Sequence, residues 1–354
     1  MTKDFIDTND FTRAELADML SLIGLLKTAD RAGCLPEVLK GSALAMIFEE
    51  ASTRTRISFE VGMSKLGGHA LYLKPGEIHL GERESLGDTA KVISGMCDVI
   101  EARVLLHKTV VDLARFSSVA VINGLSDYNH PTQSLSDIFT ISEHLPEGKT
   151  LEDCTVVFVG DRTNVCSSLM FICASFGMHF IHAAPLAYQS PPEWVAIAQA
   201  NIAVAGHGSV TVTDNVEDAV AHGDFVYTDL WWWVGQESEA TERKKAFFPR
   251  YQVNEGLMAR APHARFMHCL PASRGVEVTD AVIDGAQSIA FPQAQNRLYT
   301  EEALLVWFTR PHSPQDPPVA LRIEHDAAIR SFIGSHLPDV VTRELPTAVS
   351  TAAR

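Results

Sequence analysis

The chain has 354 residues, of which 46% are hydrophobic and 21% are charged, and its formal net charge is −15. This length predicts two domains, and the composition excludes an unfolded or fibrous chain. The acidic balance argues against nucleic acid and anionic lipid as partners, because both are polyanions. An anionic small substrate would need a local cluster of arginines.

The cellular compartment is inferred from the start of the chain and from its cysteines. The first ten residues lack a basic segment followed by an apolar one, and no apolar run approaches about 20 residues. We therefore predict no secretory signal and no membrane span. The six cysteines are scattered, without a Cys-x-x-Cys pair or a zinc-finger spacing. This pattern predicts reduced thiols, no metal site and a cytoplasmic location.

Short apolar runs that are typical of strands alternate with helical patterns along the chain. In the first half, a helix is predicted at 54–66, where it ends at a Gly-Gly pair, and strands are predicted at 42–48, 99–103 and 119–123. In the second half, a helix is predicted at 164–176, and strands at 155–159, 179–183, 225–228, 265–269 and 288–291. Repeated strand-then-helix units predict an α/β fold with two Rossmann-like domains, each a parallel sheet with helices on both faces.

Domain boundaries are predicted from changes in composition. The polar segment 144–153 separates a first domain, 1–146, from a second domain, 147–308. The remainder, 309–354, contains a proline-rich linker, one more predicted helix at 319–337 and a tail. In open α/β sheets ligands bind at the carboxyl ends of strands, so the polar segments that follow the predicted strands are the candidate sites.

The first candidate segment combines Ser52, Thr53 and Arg54 after a strand and at the start of a helix. The free backbone N–H groups of a first helical turn and its dipole favour an anion, and a guanidinium suits phosphate oxygens. An ordinary helix cap with surface arginines is the alternative interpretation. The chain lacks the Gly-x-x-x-x-Gly-Lys pattern of a nucleotide-binding loop.

Two further candidates follow strands of the first half. Arg103 ends a predicted strand, where either a ligand or a carboxylate of its own domain would pair with it. His130 begins a His-Pro-Thr-Gln segment in which Gln133 offers an amide to a planar ligand. A structural histidine is the alternative, but the density of polar groups in this loop favours a functional role.

The second half contributes Asp229, Cys269 and Arg297. Asp229 precedes three tryptophans, 231–233, and would hold an ammonium by charge and cation–π attraction. We interpret Trp231 and Trp232 as packing residues. The alternatives for the other two are a buried thiol for Cys269 and a surface charge at a helix start for Arg297.

Together these segments resemble the carbamoyltransferase family, which includes aspartate, ornithine and putrescine enzymes. The resemblance covers residues 1–310 and is carried, in the family's order, by Ser-Thr-Arg-Thr-Arg at 52–56, His-Pro-Thr-Gln at 130–133, His-Cys-Leu-Pro at 268–271 and Phe-Pro-x-Ala-x-Asn-Arg at 291–297. Segments 247–254 and 271–280, and the extra C-terminal helix, look most like the putrescine enzymes.

The resemblance implies transfer of a carbamoyl group from carbamoyl phosphate to a small amine, with no cofactor, in a homotrimer with shared active sites. The first domain would bind carbamoyl phosphate and the second the amine, with the last core helix, after Arg297, packing back on the first domain.

The phosphate would be held by Ser52, Thr53, Arg54, Arg103 and, from a neighbouring subunit, His79. The carbamoyl oxygen would be polarised by Thr55, Arg103 and His130, and its nitrogen held by Gln133, Arg297 and the Leu270 carbonyl. The amine side would be lined by Asn164, Asp229, Trp233, Val234 and Cys269. The catalytic set would be Arg54, Thr55, Arg103, His130, Cys269 and Arg297.

Departures from the family pattern bear on the amine. Asn164 matches the ornithine enzymes, but Trp233 and Val234 stand where those enzymes have Ser-Met, and His79 stands where family members have Gln. Loss of the serine hydroxyl removes a donor to an α-carboxylate, which favours putrescine. We therefore predict formation of N-carbamoylputrescine and phosphate.

Of three alternative functions, one stays open and two are disfavoured by the sequence. Ornithine carbamoylation to citrulline is the alternative within the family. A non-catalytic assembly protein of the same fold is disfavoured because Arg54, His130 and Arg297 are all present. A dinucleotide-dependent oxidoreductase is disfavoured because no Gly-x-Gly-x-x-Gly follows a strand.

Overall fold

A computed structural model describes residues 4–78, 84–232 and 236–309, together with Ala327 and Ser331. The chain divides into two compact units, residues 1–310 and residues 311–354. In the second unit the described residues Ala327 and Ser331 are both helical. The rest of the predicted linker, helix 319–337 and tail lies outside the described residues.

The first unit contains two parallel sheets, as the sequence predicts. The four-stranded sheet has the order β2-β1-β3-β4 and comprises β1 (Ala43–Phe48), β2 (His69–Leu73), β3 (Val99–Arg103) and β4 (Ala120–Leu125). The five-stranded sheet has the order β7-β6-β5-β8-β9 and comprises β5 (Thr155–Val159), β6 (His179–Ala183), β7 (Ser209–Thr213), β8 (Phe225–Thr228) and β9 (Arg265–His268).

Helices alternate with these strands, which gives the predicted α/β fold. In the first half they are α1 (Arg13–Arg31), α2 (Thr53–Lys65), α3 (Leu86–Ser94), α4 (His107–Phe116) and α5 (Pro131–Glu143). In the second half they are α6 (Asn164–Ser175), α7 (Pro192–Ala205), α8 (Val216–Ala221), α9 (Ala240–Phe247), α10 (Glu255–Met258), α11 (Asp280–Ile283) and α12 (Ala290–Phe308). Within the described ranges, no helix has an apolar stretch long enough to cross a bilayer.

The strand predicted at 288–291 is wrong. Ser288 forms a single bridge with Phe266, the Ile289 N–H donates to the Phe266 carbonyl at 2.9 Å, and α12 begins at Ala290. A short apolar run does not distinguish a strand from a buried helix start. The last core helix therefore begins before Arg297 rather than after it.

The long helix α12 brings the two halves of the first unit together. It starts beside β9 and packs against α1, α2 and α5. Leu304 and Leu305 of this helix belong to a core that also contains Phe48 of β1 and Phe158 of β5. This packing brings the carboxyl ends of strands from both sheets to one place.

Candidate active site

A cavity of about 330 Å³ lies at the carboxyl ends of β1, β3, β4, β8 and β9. It contains each sequence-predicted site residue that the structure describes, namely Ser52, Thr53, Arg54, Thr55, Arg103, His130, Gln133, Asn164, Asp229, Cys269, Leu270 and Arg297. The predicted residues His79, Trp233 and Val234 lie outside the described residues. The lining also includes Glu50, Leu125, Val165 and Pro271, which sequence reasoning did not select.

The start of α2 forms one wall of this cavity. Ser52 caps the helix, and its hydroxyl accepts a hydrogen bond from the Thr55 N–H at 3.4 Å. Arg54 lies in the first turn, half-buried, and burial together with nearby Arg297 lowers the pKa of its guanidinium. A capped helix start that also carries a guanidinium is a strong site for an anion.

Three guanidinium groups, those of Arg54, Arg103 and Arg297, line the same cavity. Burial lowers the pKa of Arg103 to about 10, and the positive charges of Arg297 and Arg54 add to this shift. Glu101 and Glu50 oppose it. Cations held this close in a partly buried space repel one another, so a dianion would stabilise the arrangement.

His130 is a neutral donor at the edge of this arginine cluster. Burial and the charges of Arg297, Arg103 and Arg54 hold the pKa of its imidazole well below the usual range. Thr132 accepts a hydrogen bond from Arg297 Nη2 at 3.2 Å and lies 3.4 Å from His130 Nδ1. The same hydroxyl is also a hydrogen-bond partner of the Glu301 carboxylate, so Thr132 links His130 to the Arg297–Glu301 pair.

Arg297 is fixed by four hydrogen bonds in the middle of α12, where it is 2% exposed. Its guanidinium donates to Gln133 Oε1 at 2.6 Å, to Thr132, and twice to Glu301 Oε1, at 2.5 and 2.9 Å. The alternative interpretation of Arg297 as a surface charge is therefore wrong. The i, i+4 spacing of Arg297 and Glu301 was a signal for this pair that sequence reasoning missed.

Gln133 connects this arginine to a second buried carboxyl group. Its Nε2 donates to Asp137 Oδ1 at 2.8 Å, and Asp137 also accepts from Gln293 and from the Tyr227 hydroxyl. Burial raises the pKa of Asp137 to about 6 despite these donors. Both polar ends of the Gln133 amide are thus engaged, which holds its plane in one orientation.

The opposite wall of the cavity carries Asp229 and Cys269. The Cys269 thiol donates to Asp229 Oδ1 at 3.1 Å, and the Leu230 N–H donates to the same oxygen at 2.8 Å. Burial and the Asp229 charge raise the pKa of Cys269 well above its usual range, so its sulfur is a neutral thiol. This wall therefore offers a carboxylate to a cation.

Two further residues on this side of the cavity, Leu270 and Asn164, are fixed by hydrogen bonds to neighbouring residues. Leu270 adopts a left-handed conformation with φ 58°, and its N–H donates to His268 Nδ1 at 2.9 Å. Such a conformation is costly for leucine and is typical of functional sites. The Asn164 amide donates to the Ser126 carbonyl at 2.7 Å, so one of its two donor hydrogens is already used.

A second, larger cavity of about 660 Å³ shares Glu50 and Leu125 with the first. Its charged lining comprises Glu50, Asp127, Asp161, Glu239, Arg162 and Arg243. Arg243 forms ion pairs with Asp161 and Glu239. Glu50, which is half-buried, makes no hydrogen bond in the described part of the chain. Among the charged residues that line the larger cavity, carboxylates therefore outnumber guanidinium groups by four to two.

The aromatic residues that follow Asp229 pack as predicted where the structure describes them. Trp231 is buried and stacks on Phe247, with ring centroids 5.3 Å apart, and Trp232 packs partly buried against the same core. The six cysteines are unpaired thiols. Among the described residues, no group of three or more His, Cys, Asp or Glu side chains is placed to hold a metal ion.

Comparison with known proteins matches both halves of the chain to one family. Residues 3–143 match the carbamoyl-P binding domain, and residues 152–308 the Asp/Orn binding domain, of aspartate/ornithine carbamoyltransferase. A putrescine carbamoyltransferase of Mycoplasma capricolum is 57% identical over 317 residues, which cover 87% of each chain. An ornithine carbamoyltransferase of Thermococcus kodakarensis is 45% identical, covering 86% of this chain and 95% of its own.

Solved structures give the same result. The structure of ornithine carbamoyltransferase from Pyrococcus furiosus superposes with a TM-score of 0.83 at 43% identity, covering 87% of this chain and 97% of its own. That of the Campylobacter jejuni enzyme superposes with a TM-score of 0.79 at 35% identity, covering 86% and 98%. The chain therefore belongs to the aspartate/ornithine carbamoyltransferase superfamily, a family of carbamoyl-transferring enzymes.

Proposed function

We propose that this enzyme transfers the carbamoyl group of carbamoyl phosphate to putrescine and releases N-carbamoylputrescine and phosphate. The observation that carries this proposal is one cavity in which three guanidinium groups and a helix start face an Asp229–Cys269 pair. The 57% identity to a putrescine carbamoyltransferase supports the choice of amine. We further propose that residues 1–146 bind carbamoyl phosphate and residues 147–308 bind the amine.

The phosphate group binds at the start of α2. The hydroxyls of Ser52 and Thr53 and the first-turn N–H groups donate to its oxygens, and Arg54 and Arg103 supply positive charge. Binding a dianion also relieves the repulsion among the arginines, which contributes to affinity.

The carbamoyl group is polarised by fixed donors. Thr55, Arg103 and the neutral His130 donate to its oxygen, on which negative charge develops as the amine attacks. The Leu270 carbonyl and Gln133 hold the carbamoyl nitrogen, and Arg297 keeps Gln133 in place. Gln133 is held by buried hydrogen bonds to Arg297 and Asp137, so little reorganisation of its amide is needed in the transition state.

The amine approaches from the Asp229 side. As its nitrogen attacks, the carbon–nitrogen bond forms, the bond between the carbamoyl carbon and the phosphate oxygen breaks, and the departing phosphate takes the proton that the amine loses. Much of the acceleration comes from holding the two reactants in contact, an effect worth up to roughly 7–11 kcal/mol.

Charge favours a diamine over ornithine. The larger cavity offers carboxylates to the distal ammonium of putrescine, and Glu50 has no other hydrogen-bond partner in the described residues. The α-carboxylate of ornithine would lie near these carboxylates, and Asn164 has only part of its donor capacity free. Ornithine remains the alternative amine.

The direct test is initial-rate kinetics with carbamoyl phosphate and a panel of amines. We expect kcat/KM for putrescine to exceed that for ornithine by at least about tenfold, or about 1.4 kcal/mol. A better rate with ornithine would replace putrescine in the assignment. Absence of turnover with every amine would favour the non-catalytic assembly role.

We also propose a cytoplasmic homotrimer in which His79 of one subunit completes the active site of its neighbour. The support is the family resemblance of the loop that contains His79. The test mixes two inactive variants, His79→Ala and Arg54→Ala. Subunit exchange should restore part of the activity, because one hybrid site then contains both residues. Inactive mixtures with demonstrated exchange would contradict sharing.

A further inference from the structure

Glu101 is an acidic residue in an apolar layer beside the active site. It lies in β3, where its register partners are Met46 of β1 and Ile122 of β4. Its side chain is 0% exposed, and neither carboxyl oxygen has a hydrogen-bond partner in the described part of the chain. A fully buried carboxyl group without a partner is costly, and it is unexplained by the proposed mechanism.

The position of Glu101 connects it to Arg103. Side chains two residues apart on a strand point to the same face, so both residues face α2 and α12. The two groups interact electrostatically without a hydrogen bond, and Arg103 Nε also lacks a partner. The guanidinium of Arg103, which is proposed to bind substrate, therefore lies near the buried carboxyl group of Glu101, which has no role in the proposed mechanism.

The space around this carboxyl group is tightly packed. A Cβ atom added at Gly124 would lie 1.8 Å from Glu101 Oε1 and 3.4 Å from the Thr55 side chain. The charged groups that act on Glu101 are Arg103 on its own strand and Arg297 and Glu301 on α12. Thr55 of α2 and Gly124 of β4, which approach it most closely from those elements, carry no charge.

The charge state of Glu101 follows from this packing. Burial, with the nearby Glu301 carboxylate, raises its pKa well above the usual range, and the two arginines only partly oppose this. The group is neutral at low pH and ionises as pH rises. Once ionised, its stabilising partner is the guanidinium of Arg103, which is the same group that the phosphate needs.

We propose that Glu101 is a positioning residue whose neutral carboxyl group leaves Arg103 free for the phosphate of carbamoyl phosphate, and whose ionised form competes with that phosphate for Arg103. The inference rests on the proposed function for the identity of the anion. It predicts that affinity for carbamoyl phosphate falls at alkaline pH through Glu101.

The test is the KM for carbamoyl phosphate of wild type, Glu101→Gln and Glu101→Met from about pH 6.5 to about pH 9. The co-substrate is whichever amine reacts fastest. We expect the wild-type KM to rise about tenfold relative to that of either variant over this range. A wild-type to variant ratio that does not change with pH would overturn the proposal. A loss of activity in Glu101→Gln that is as large as that of Arg54→Ala at every pH would also overturn it. Glu101→Met keeps the test usable if the glutamine variant does not fold.

Glu302 provides a matched control. It is also fully buried on α12 with two unpartnered oxygens, but it lies against Gly62 of α2 and near Asp30 and Lys65. Glu302→Gln should keep the wild-type KM profile. An equal change in this variant would overturn the proposal, because removal of any buried carboxyl group would then suffice.

Failure of the proposed function would be recognised separately. If no amine is carbamoylated, the same comparison is made with the affinity for inorganic phosphate, whose own titration is shared by wild type and variants. A pH-dependent difference confined to Glu101 would support the positioning role without the reaction. Equal affinities at every pH would overturn it.

Discussion

The two cavities of the first unit differ in charge although they share a wall. The smaller contains the guanidinium groups of Arg54, Arg103 and Arg297, and the larger has four carboxylates and two guanidinium groups, with Asp161 and Glu239 paired with Arg243. Glu50 lies in both linings. A cluster of guanidinium groups thus lies next to a cavity with an excess of carboxylates, which suits the proposed reaction between an anionic donor and a cationic amine.

The cavities also differ in how their charges are held. In the smaller one, Arg297 is locked by Gln133, Thr132 and Glu301, all buried. In the larger one, Asp161 and Arg243 are buried and paired with each other, whereas Asp127 is exposed and Glu50, which lines both cavities, is half-buried. Buried, hydrogen-bonded charges contribute far more to a transition state than solvated ones. Variants in the smaller cavity should therefore have the larger effects.

Arg54→Ala should give the largest loss. Removing one charge-assisted contact to a departing anion costs about 2.7–4 kcal/mol, so kcat should fall roughly 10²–10³-fold while thermal unfolding is little changed. The matched control is Arg56→Ala in the same helix, because Arg56 stacks 3.9 Å over Tyr72 and pairs with Glu60. Comparable losses in the two variants would show that the phosphate binds elsewhere.

Asp229→Asn tests the wall of the smaller cavity that faces the amine. The amide is isosteric and its oxygen still accepts from Cys269 and Leu230, so the variant removes the negative charge and replaces the other carboxylate oxygen with an NH₂ donor. A hydrogen bond to a charged group contributes about 1.5–3 kcal/mol, so kcat/KM for putrescine should fall about thirtyfold. The KM for carbamoyl phosphate should stay within about threefold of wild type. Equal losses for both substrates would mean that Asp229 supports the fold rather than the amine.

Much of this molecule is predictable from the sequence, and the exceptions have physical causes. Strands such as 155–159 and 225–228 were predicted at their observed bounds because they are continuous buried apolar runs. The strands β2 and β7 were not predicted. Both lie at sheet edges and are half-exposed, and in β7 polar residues alternate with apolar ones.

The residues of the site also divide into those that the sequence predicts and those that it does not. Arg54, His130 and Arg297 stand in recognisable segments, and the described structure brings them together. Asp137 and Glu101 were not selected, because the local sequence does not show that these acids are buried. Of the donors to Asp137, Tyr227 and Gln293 come from elements far apart in sequence, and Gln133 lies one helical turn away.

Glu50→Gln should have the smallest effect, and it tests a charged residue that lines both cavities. Its carboxylate is half-buried and solvent screens it, so it contributes about 0.2–1 kcal/mol to the distal ammonium. The ratio of kcat/KM for putrescine to kcat/KM for ornithine should therefore fall by up to about fivefold, mainly through the amine KM. The variant weakens the attraction for the distal ammonium of putrescine, and it also weakens the repulsion of the ornithine α-carboxylate. The neighbouring Glu49→Gln is the control, since Glu49 accepts the Leu105 N–H at 2.6 Å and lines neither cavity. An unchanged ratio in Glu50→Gln would assign amine selectivity to Asp229 and its surroundings instead of to the larger cavity.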